Sequence, residues 1–176
     1  MTQKQIAGRL KVLTGFLGVA GLPLFALIFK NVYMAYYALS EDGVWDPSRV
    51  PEQFRLSGSH VIPMFIVLLT MVMCYLVLHR FYMTCTEIGR DNSFSMENVH
   101  NFAVMKVLML ITGGVWTGYT IGLVALQGLV YYDYVAMVTK YGLMAIVFFT
   151  IAAFADALSR LIQRAYEIRE ENELTI

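Results

Sequence analysis

Charge is scarce in this 176-residue chain: 15% of its residues are Asp, Glu, Lys or Arg, against 58% hydrophobic. Soluble domains carry about 25% charged and about 45–50% apolar residues, so an ordinary soluble domain is excluded. The 13 basic and 13 acidic residues cancel, which removes any global attraction to nucleic acid. Cysteine is almost absent. Cys74 and Cys85 are the two present, with no CxxC spacing, so neither a disulfide framework nor a zinc site is expected and both thiols read as inert. Histidine is limited to His60, His79 and His100. His60 and His79 bracket one apolar run as haem ligands in a membrane cytochrome do, but three histidines are too few for two stacked haems. Also missing are an H-E-x-x-H motif, a phosphate-binding loop, a G-x-S-x-G elbow and a cluster of carboxylates inside the apolar runs. The eleven methionines are scattered as gap-fillers rather than clustered as a copper path. No catalytic residue, cofactor or metal is expected, and the chain is read as a non-enzyme.

What is abundant is long apolar sequence, with a mean hydropathy of +0.59. A hydrocarbon core about 30 Å thick takes about 20 helical residues. Four segments qualify, at 12–36, 61–80, 103–128 and 135–158, and lipid requires helices there because open backbone stays unpaired. The first run is longer than a cleavable signal segment and no A-x-A-like site follows it, so it reads as a retained span. The expectation is an all-α polytopic membrane protein, a single four-helix bundle over residues 1–176.

Orientation follows from the basic residues. Lys4, Arg9, Lys11, Arg80, Arg90, Lys106, Arg160, Arg164 and Arg169 fall on one side; Lys30, Arg49, Arg55 and Lys140 fall on the other. The positive-inside rule puts both termini, the 81–101 loop and the 159–176 tail in the cytoplasm. Residues 40–60, acidic and marked by Pro47 and Pro51, form the opposite cap. Aromatic anchors fit the same frame, with Tyr33, Tyr36, Tyr37, Tyr131, Tyr132, Tyr134 and Tyr141 at the outer interface and Phe81 and Tyr82 at the inner one.

Within the third span, Gly114, Gly118 and Gly122 recur every four residues and leave one face without side chains. That face suits close packing inside the bundle or, as a sharper alternative, homo-oligomer formation. Gly15, Gly18 and Gly21 in the first span are candidates to receive it. Lys106 and Asp156 each lie about one turn inside the same end of their spans. Isolated charges there are costly, so they are expected to form a structural ion pair, with a proton relay as the alternative.

Two polar phrases follow apolar runs: EIGRDNSFSMEN at 87–98 and EIREENELTI at 167–176. Shifting the chain by 80 residues superposes Leu78 on Leu158, Arg80 on Arg160, Glu87 on Glu167, Ile88 on Ile168 and Asn92 on Asn172. The stripes 78, 81, 82, 85, 88 and 158, 161, 162, 165, 168 share helical spacing. The second and fourth helices are therefore expected to continue two or three turns into the cytoplasm, their stripes packing on each other or on a partner, and both to end in an acidic-Asn turn. A duplicated hairpin and chance similarity between helix ends both account for the match. Ser95 is placed as an N-cap, with Glu97 in the first turn and Phe94 and Val99 as a hydrophobic staple. The apolar tip Leu174-Thr175-Ile176 either frays or docks into a groove.

The Phe94, Ser95, Glu97 and Asn98 stretch after a helix, together with the terminal E-E-N-E-L-T-I, resembles the DUF2975-type bacterial four-helix integral membrane proteins. The tail reads N-E-L-T-I where that group often has N-D-L-T-I. The resemblance implies a multi-pass protein of the bacterial inner membrane, without catalytic residues to carry over. It also implies a partnership with a small cytoplasmic helix-turn-helix DNA-binding regulator. The expected function is a membrane regulator or anchor for such a protein, itself touching no nucleic acid. Phe94, Ser95, Glu97, Asn98, Asn172, Leu174, Thr175 and Ile176 are the candidate contacts. The alternatives are a small oligomeric transporter or channel, and an accessory subunit of another membrane complex. The spans lack the polar row a transport path needs.

Overall fold

The computed structural model describes residues 2–39, 58–127 and 132–174. These form four helices: α1 (Gln3–Leu39), α2 (Gly58–Gly89), α3 (Met96–Gln127) and α4 (Tyr132–Leu174). All four are long and apolar enough to cross a membrane, which supports a multi-pass membrane protein. The expected 40–60 cap lies outside the described residues over 40–57, as do Tyr131 and the terminal Thr175 and Ile176. The side chains of Tyr33, Tyr36, Tyr37, His60, Tyr132, Tyr134 and Leu174 lie outside them too.

The chain divides into two compact units. One, residues 16–72, holds the remainder of α1 and the first half of α2. In it α1 continues across Pro23, and the Thr70 hydroxyl donates to the Ile66 carbonyl. The other unit, residues 1–15 and 73–176, joins the start of α1 and the end of α2 to the whole of α3 and α4.

Its centre is the α3–α4 interface. On α3 a buried seam runs through Asn98, Phe102, Met105, Met109, Thr112 and Trp116, with Asn101 buried beside it; on α4 the seam runs through Ala145, Phe148, Ala152, Ala155 and Ser159. Spacings alternate between three and four on both helices, the 3.5-residue repeat of knobs-into-holes packing. Bulky side chains on α3 face alanines on α4, which lets the axes approach. Phe102, Met105 and Ala155 form a buried core cluster, with Val77, Phe81 and Ile162 packed against it. Further along, Trp116 stacks on Tyr141 at 5.3 Å and 21°, and Tyr119 meets Tyr141 edge-on at 5.1 Å. Tyr141, expected as a lipid-interface anchor, is a packing partner of Trp116.

The expectation that Gly114, Gly118 and Gly122 pack inside the bundle needs correction, while the homo-oligomer alternative concerns a face that stays open in the single chain. A Cβ built on Gly114, Gly118 or Gly122 meets nothing within 4 Å, whereas one on Gly113 comes within 3.0 Å of the Phe149 ring. The every-fourth spacing marks an open face. The glycine that close packing requires is the neighbour outside that pattern.

The helix ends also part company. In α4 the helix runs without a break to Leu174, so the second polar phrase does not turn at Glu171-Asn172. Side-chain pairs at i,i+4 explain it: Arg160 donates to Asp156 at 3.0 Å, Gln163 to Glu167 at 3.0 Å and Arg169 to Glu173 at 2.9 Å. Each adds about 0.2–0.5 kcal/mol. At the positions of Gln163, Arg169 and Glu173, the first phrase has Met83, Gly89 and Ser93. It lacks those pairs and places a weak helix former at its end.

Candidate functional site

The first phrase builds the most polar interior in the described structure, at the turn between α2 and α3. Asp91 adopts a left-handed conformation, φ 59°. Asp91 N–H donates to the Ile88 carbonyl at 3.2 Å, and Asn92 N–H to the Glu87 carbonyl at 3.1 Å. This is the paired 5→2 and 6→1 bonding of a Schellman stop, with Asp where glycine is usual. Glu87, nearly buried, locks the turn from inside. Its two carboxylate oxygens accept from Arg90 Nη1 and Asn92 Nδ2, each at 3.0 Å.

Three residues later α3 begins. The Ser95 hydroxyl accepts the Asn98 N–H at 3.2 Å, as an N-cap does for the third residue of a helix. Asn98 then reaches back: Nδ2 donates to the carbonyls of Asn92 at 3.3 Å and Ser93 at 3.0 Å. Its side chain is 0% exposed. One amide thus clamps the end of the α2 stop to the start of α3. Asn101, one turn on, accepts Arg80 Nη1 at 3.4 Å. Ser159 of α4 donates to the Val99 carbonyl at 3.1 Å. Asn98 Oδ1 and Asn101 Nδ2 are buried without a protein partner.

The start of α1 closes the other side. Thr2 caps it, its carbonyl accepting Gln5 and Ile6 N–H while Gln5 Oε1 accepts the Thr2 N–H at 3.2 Å. Ala7 is buried, and a Cβ on Gly89 would come within 3.3 Å of its methyl. Lys11 Nζ stands 5.3 Å above the Tyr82 ring, a cation–π contact. Ser93 Oγ donates to Gln3 Oε1 at 3.1 Å. Of the α2 stripe, Cys85 is fully buried, Phe81 packs on the α3–α4 cluster and Tyr82, beneath Lys11, remains 44% exposed.

Two turns along α3, Lys106 Nζ lies 2.9 Å from Asp156 Oδ1, and Arg160 Nε takes Oδ2 at 3.0 Å. The structure thus brings these two charges together, with Arg160 as a third member. About a third of each side chain in the Lys106–Asp156 pair is exposed.

The family's sequence pattern matches residues 35–176, which takes in the α2 stop, the α3 cap and all of α4. The chain belongs to the DUF2975 family, a group of proteins of unknown function. No curated protein and no solved structure matches it. The DUF2975 match begins within α1, so Gln3, Ala7 and Lys11, which seal the turn, stand outside it.

Of the eight sequence-derived contact residues, Thr175 and Ile176 lie outside the described residues, and the structure separates the other six. Ser95 and Asn98 are buried and serve the turn, while Glu97 is exposed in the first turn of α3. Phe94 is 50% exposed. Asn172 lies on the exposed end of α4, and Leu174 is its last helical residue. The expected acidic-Asn turn of the first phrase is present at Asp91-Asn92; sequence reasoning missed the roles of Glu87 and Asn101, and the buried-turn role of Glu87 was signalled by three short polar residues within a few positions of it. Among the described residues no group of three or more His, Cys, Asp or Glu could hold a metal ion.

Proposed function

We propose that this chain is a non-enzymatic anchor in the bacterial inner membrane that binds and sequesters a small cytoplasmic helix-turn-helix DNA-binding regulator. Both termini and the 81–101 turn face the cytoplasm in this reading, and the protein reaches nucleic acid only through its partner. The observation that carries it is the rigid turn. Glu87 and Asn98 fix the backbone on either side of Phe94, leaving that ring and the side chain of Met96 half exposed. Apolar side chains held out from an ordered turn lose little freedom on binding, which favours a protein partner. A transport path has less support: Thr112, Thr117 and Thr120 all donate to carbonyls of their own helix, so these three offer no row of free hydroxyl donors.

The test is affinity purification of the tagged chain from mild-detergent membranes, followed by identification of what co-elutes. A DNA-binding regulator should be recovered with the wild type and lost with Phe94→Asp or on deletion of 172–176. Recovery of no such regulator with the wild type, or undiminished recovery with both variants, refutes the reading.

A further inference from the structure

On one face of the fourth helix an apolar row gives way to a basic one. Ile146, Thr150, Ala153, Ala157, Arg160 and Arg164 recur at intervals of four and three, so they share one side of α4. The seam against α3, from Ala145 to Ser159, runs along the other side. Ile146 is exposed, as is Phe154 beside the row. Thr150 donates its hydroxyl to the Ile146 carbonyl at 2.8 Å, so it adds no free donor to the apolar part.

The change falls at the edge of the membrane. Residues 141–155 contain no Asp, Glu, Lys or Arg. About 20 helical residues fill a hydrocarbon core, and centring them on that segment puts its edge near Leu158. The headgroup layer, about 5–8 Å deep, then begins at the level of Arg160. Arg164 stands about 6 Å further out. Helical side chains lean toward the N-terminus, however, which here is toward the membrane. Arg160 reaches back in this way to Asp156.

The charges at this edge do not cancel. Asp156 is shared by Lys106 at 2.9 Å and Arg160 at 3.0 Å, so one carboxylate serves two cations. Arg160 uses Nε in that contact and its side chain is 77% exposed, which leaves the terminal guanidinium nitrogens as further donors. Arg164 is exposed, and among the described residues it has no hydrogen-bond or ion-pair partner. The two arginines line one hollow with Ala157, Leu161, Gln163 and Glu167. Glu167 accepts from Gln163 at 3.0 Å; counted with Asp156, it still leaves one cation in excess.

Two guanidinium forks a turn apart suit the oxygens of a phosphate. A free phosphate would engage the basic part alone. A phospholipid matches the whole face, with its phosphate at the arginines and an acyl chain along Ala157, Ala153 and Ile146. The excess positive charge favours a headgroup that brings no cation of its own. We propose that Arg160 and Arg164 bind the phosphate of an anionic phospholipid at the membrane edge of α4. This rests on α4 crossing a bilayer and is independent of the regulator reading above.

The test is native mass spectrometry of the full chain in mild detergent, titrated with phosphatidylglycerol or phosphatidylcholine. The wild type should retain phosphatidylglycerol and lose phosphatidylcholine. Arg160→Gln and Arg164→Gln should each lower retained phosphatidylglycerol about tenfold. Arg169→Gln removes the same charge farther from the membrane and should lower it little. Because Arg164 bonds to nothing within the chain, Arg164→Gln should keep the wild-type unfolding temperature in lipid-free detergent. Inorganic phosphate should not displace the lipid. Equal retention of the two lipids, undiminished retention in both Arg160→Gln and Arg164→Gln, or an equal loss in Arg169→Gln overturns the proposal. So does displacement by inorganic phosphate, which marks a free-anion site, or a loss of lipid that accompanies a lowered unfolding temperature in both variants.

Discussion

Replacing Asn98 tests whether one amide holds the α2–α3 turn. Its Nδ2 donates to two carbonyls and its side chain is fully buried. Each such bond contributes about 0.5–1.5 kcal/mol net. Asn98→Ala therefore loses about 2 kcal/mol, since the carbonyl of exposed Asn92 regains water. Asn98→Asp keeps the volume but turns an acceptor toward both carbonyls and adds an anion close to the turn that already holds Glu87. An uncompensated buried charge costs about 3–5 kcal/mol. Acidic residues in a first helical turn gain about 0.3–1 kcal/mol from the helix dipole, too little to reverse the sign. The expected order of stability is wild type, then Ala, then Asp. Thermal unfolding of the detergent-solubilised protein would measure it. Limited trypsin digestion at Arg90, in the turn itself, would report local opening, and it should rise in the same order. An Asn98→Ala variant as stable as the wild type would show that the clamp contributes nothing, and an Asn98→Asp variant as stable as the wild type would refute the cost assigned to the buried anion.

Three further outcomes follow from the geometry. Asp91→Gly should stabilise the protein by about 0.5–1 kcal/mol in the same unfolding assay, because glycine adopts the left-handed stop without a Cβ penalty. Asp156→Asn and Lys106→Met should each destabilise by about 1–2 kcal/mol, less than the 3–5 kcal/mol of a fully buried pair because both groups are partly exposed; a double-mutant cycle should return a coupling above about 0.5 kcal/mol, and additive effects would dismiss the pair. Gly113→Ala should destabilise, since its new methyl meets the Phe149 ring at 3.0 Å, while Gly118→Ala should be neutral or stabilising by up to about 1 kcal/mol, because nothing lies nearby and alanine favours helix.

The membrane-spanning helices were legible because charge is excluded over lengths that only a bilayer explains. The Lys106–Asp156 contact was legible because two costly charges fell at one depth. The Ser95 cap was legible because capping is local chemistry. Gly114, Gly118 and Gly122 misled because spacing defines a face without saying what lies against it; the alternating stripes on α3 and α4 carried that information. Extending the two-phrase likeness into a shared turn failed for a reason present in the sequence. Gln163–Glu167 and Arg169–Glu173 are i,i+4 pairs with no counterpart around Glu87, and Gly89 replaces a helix former. The Glu87–Asn92–Asn98 network was not legible, because it depends on Asp91 reversing the chain and bringing residues five and six apart into register.

The seat of Ala7 and Gln3 has a consequence for biogenesis. It is made by residues 82–93, so Gln3 precedes its partner Ser93 by 90 positions. At about 5–20 residues per second, roughly 5–18 s of translation separate the two. During that interval the first helix inserts with its docking strip unmatched. The amino-terminal segment thus waits for residues 82–93 before it can dock, and a chain released before residue 93 leaves it without a home.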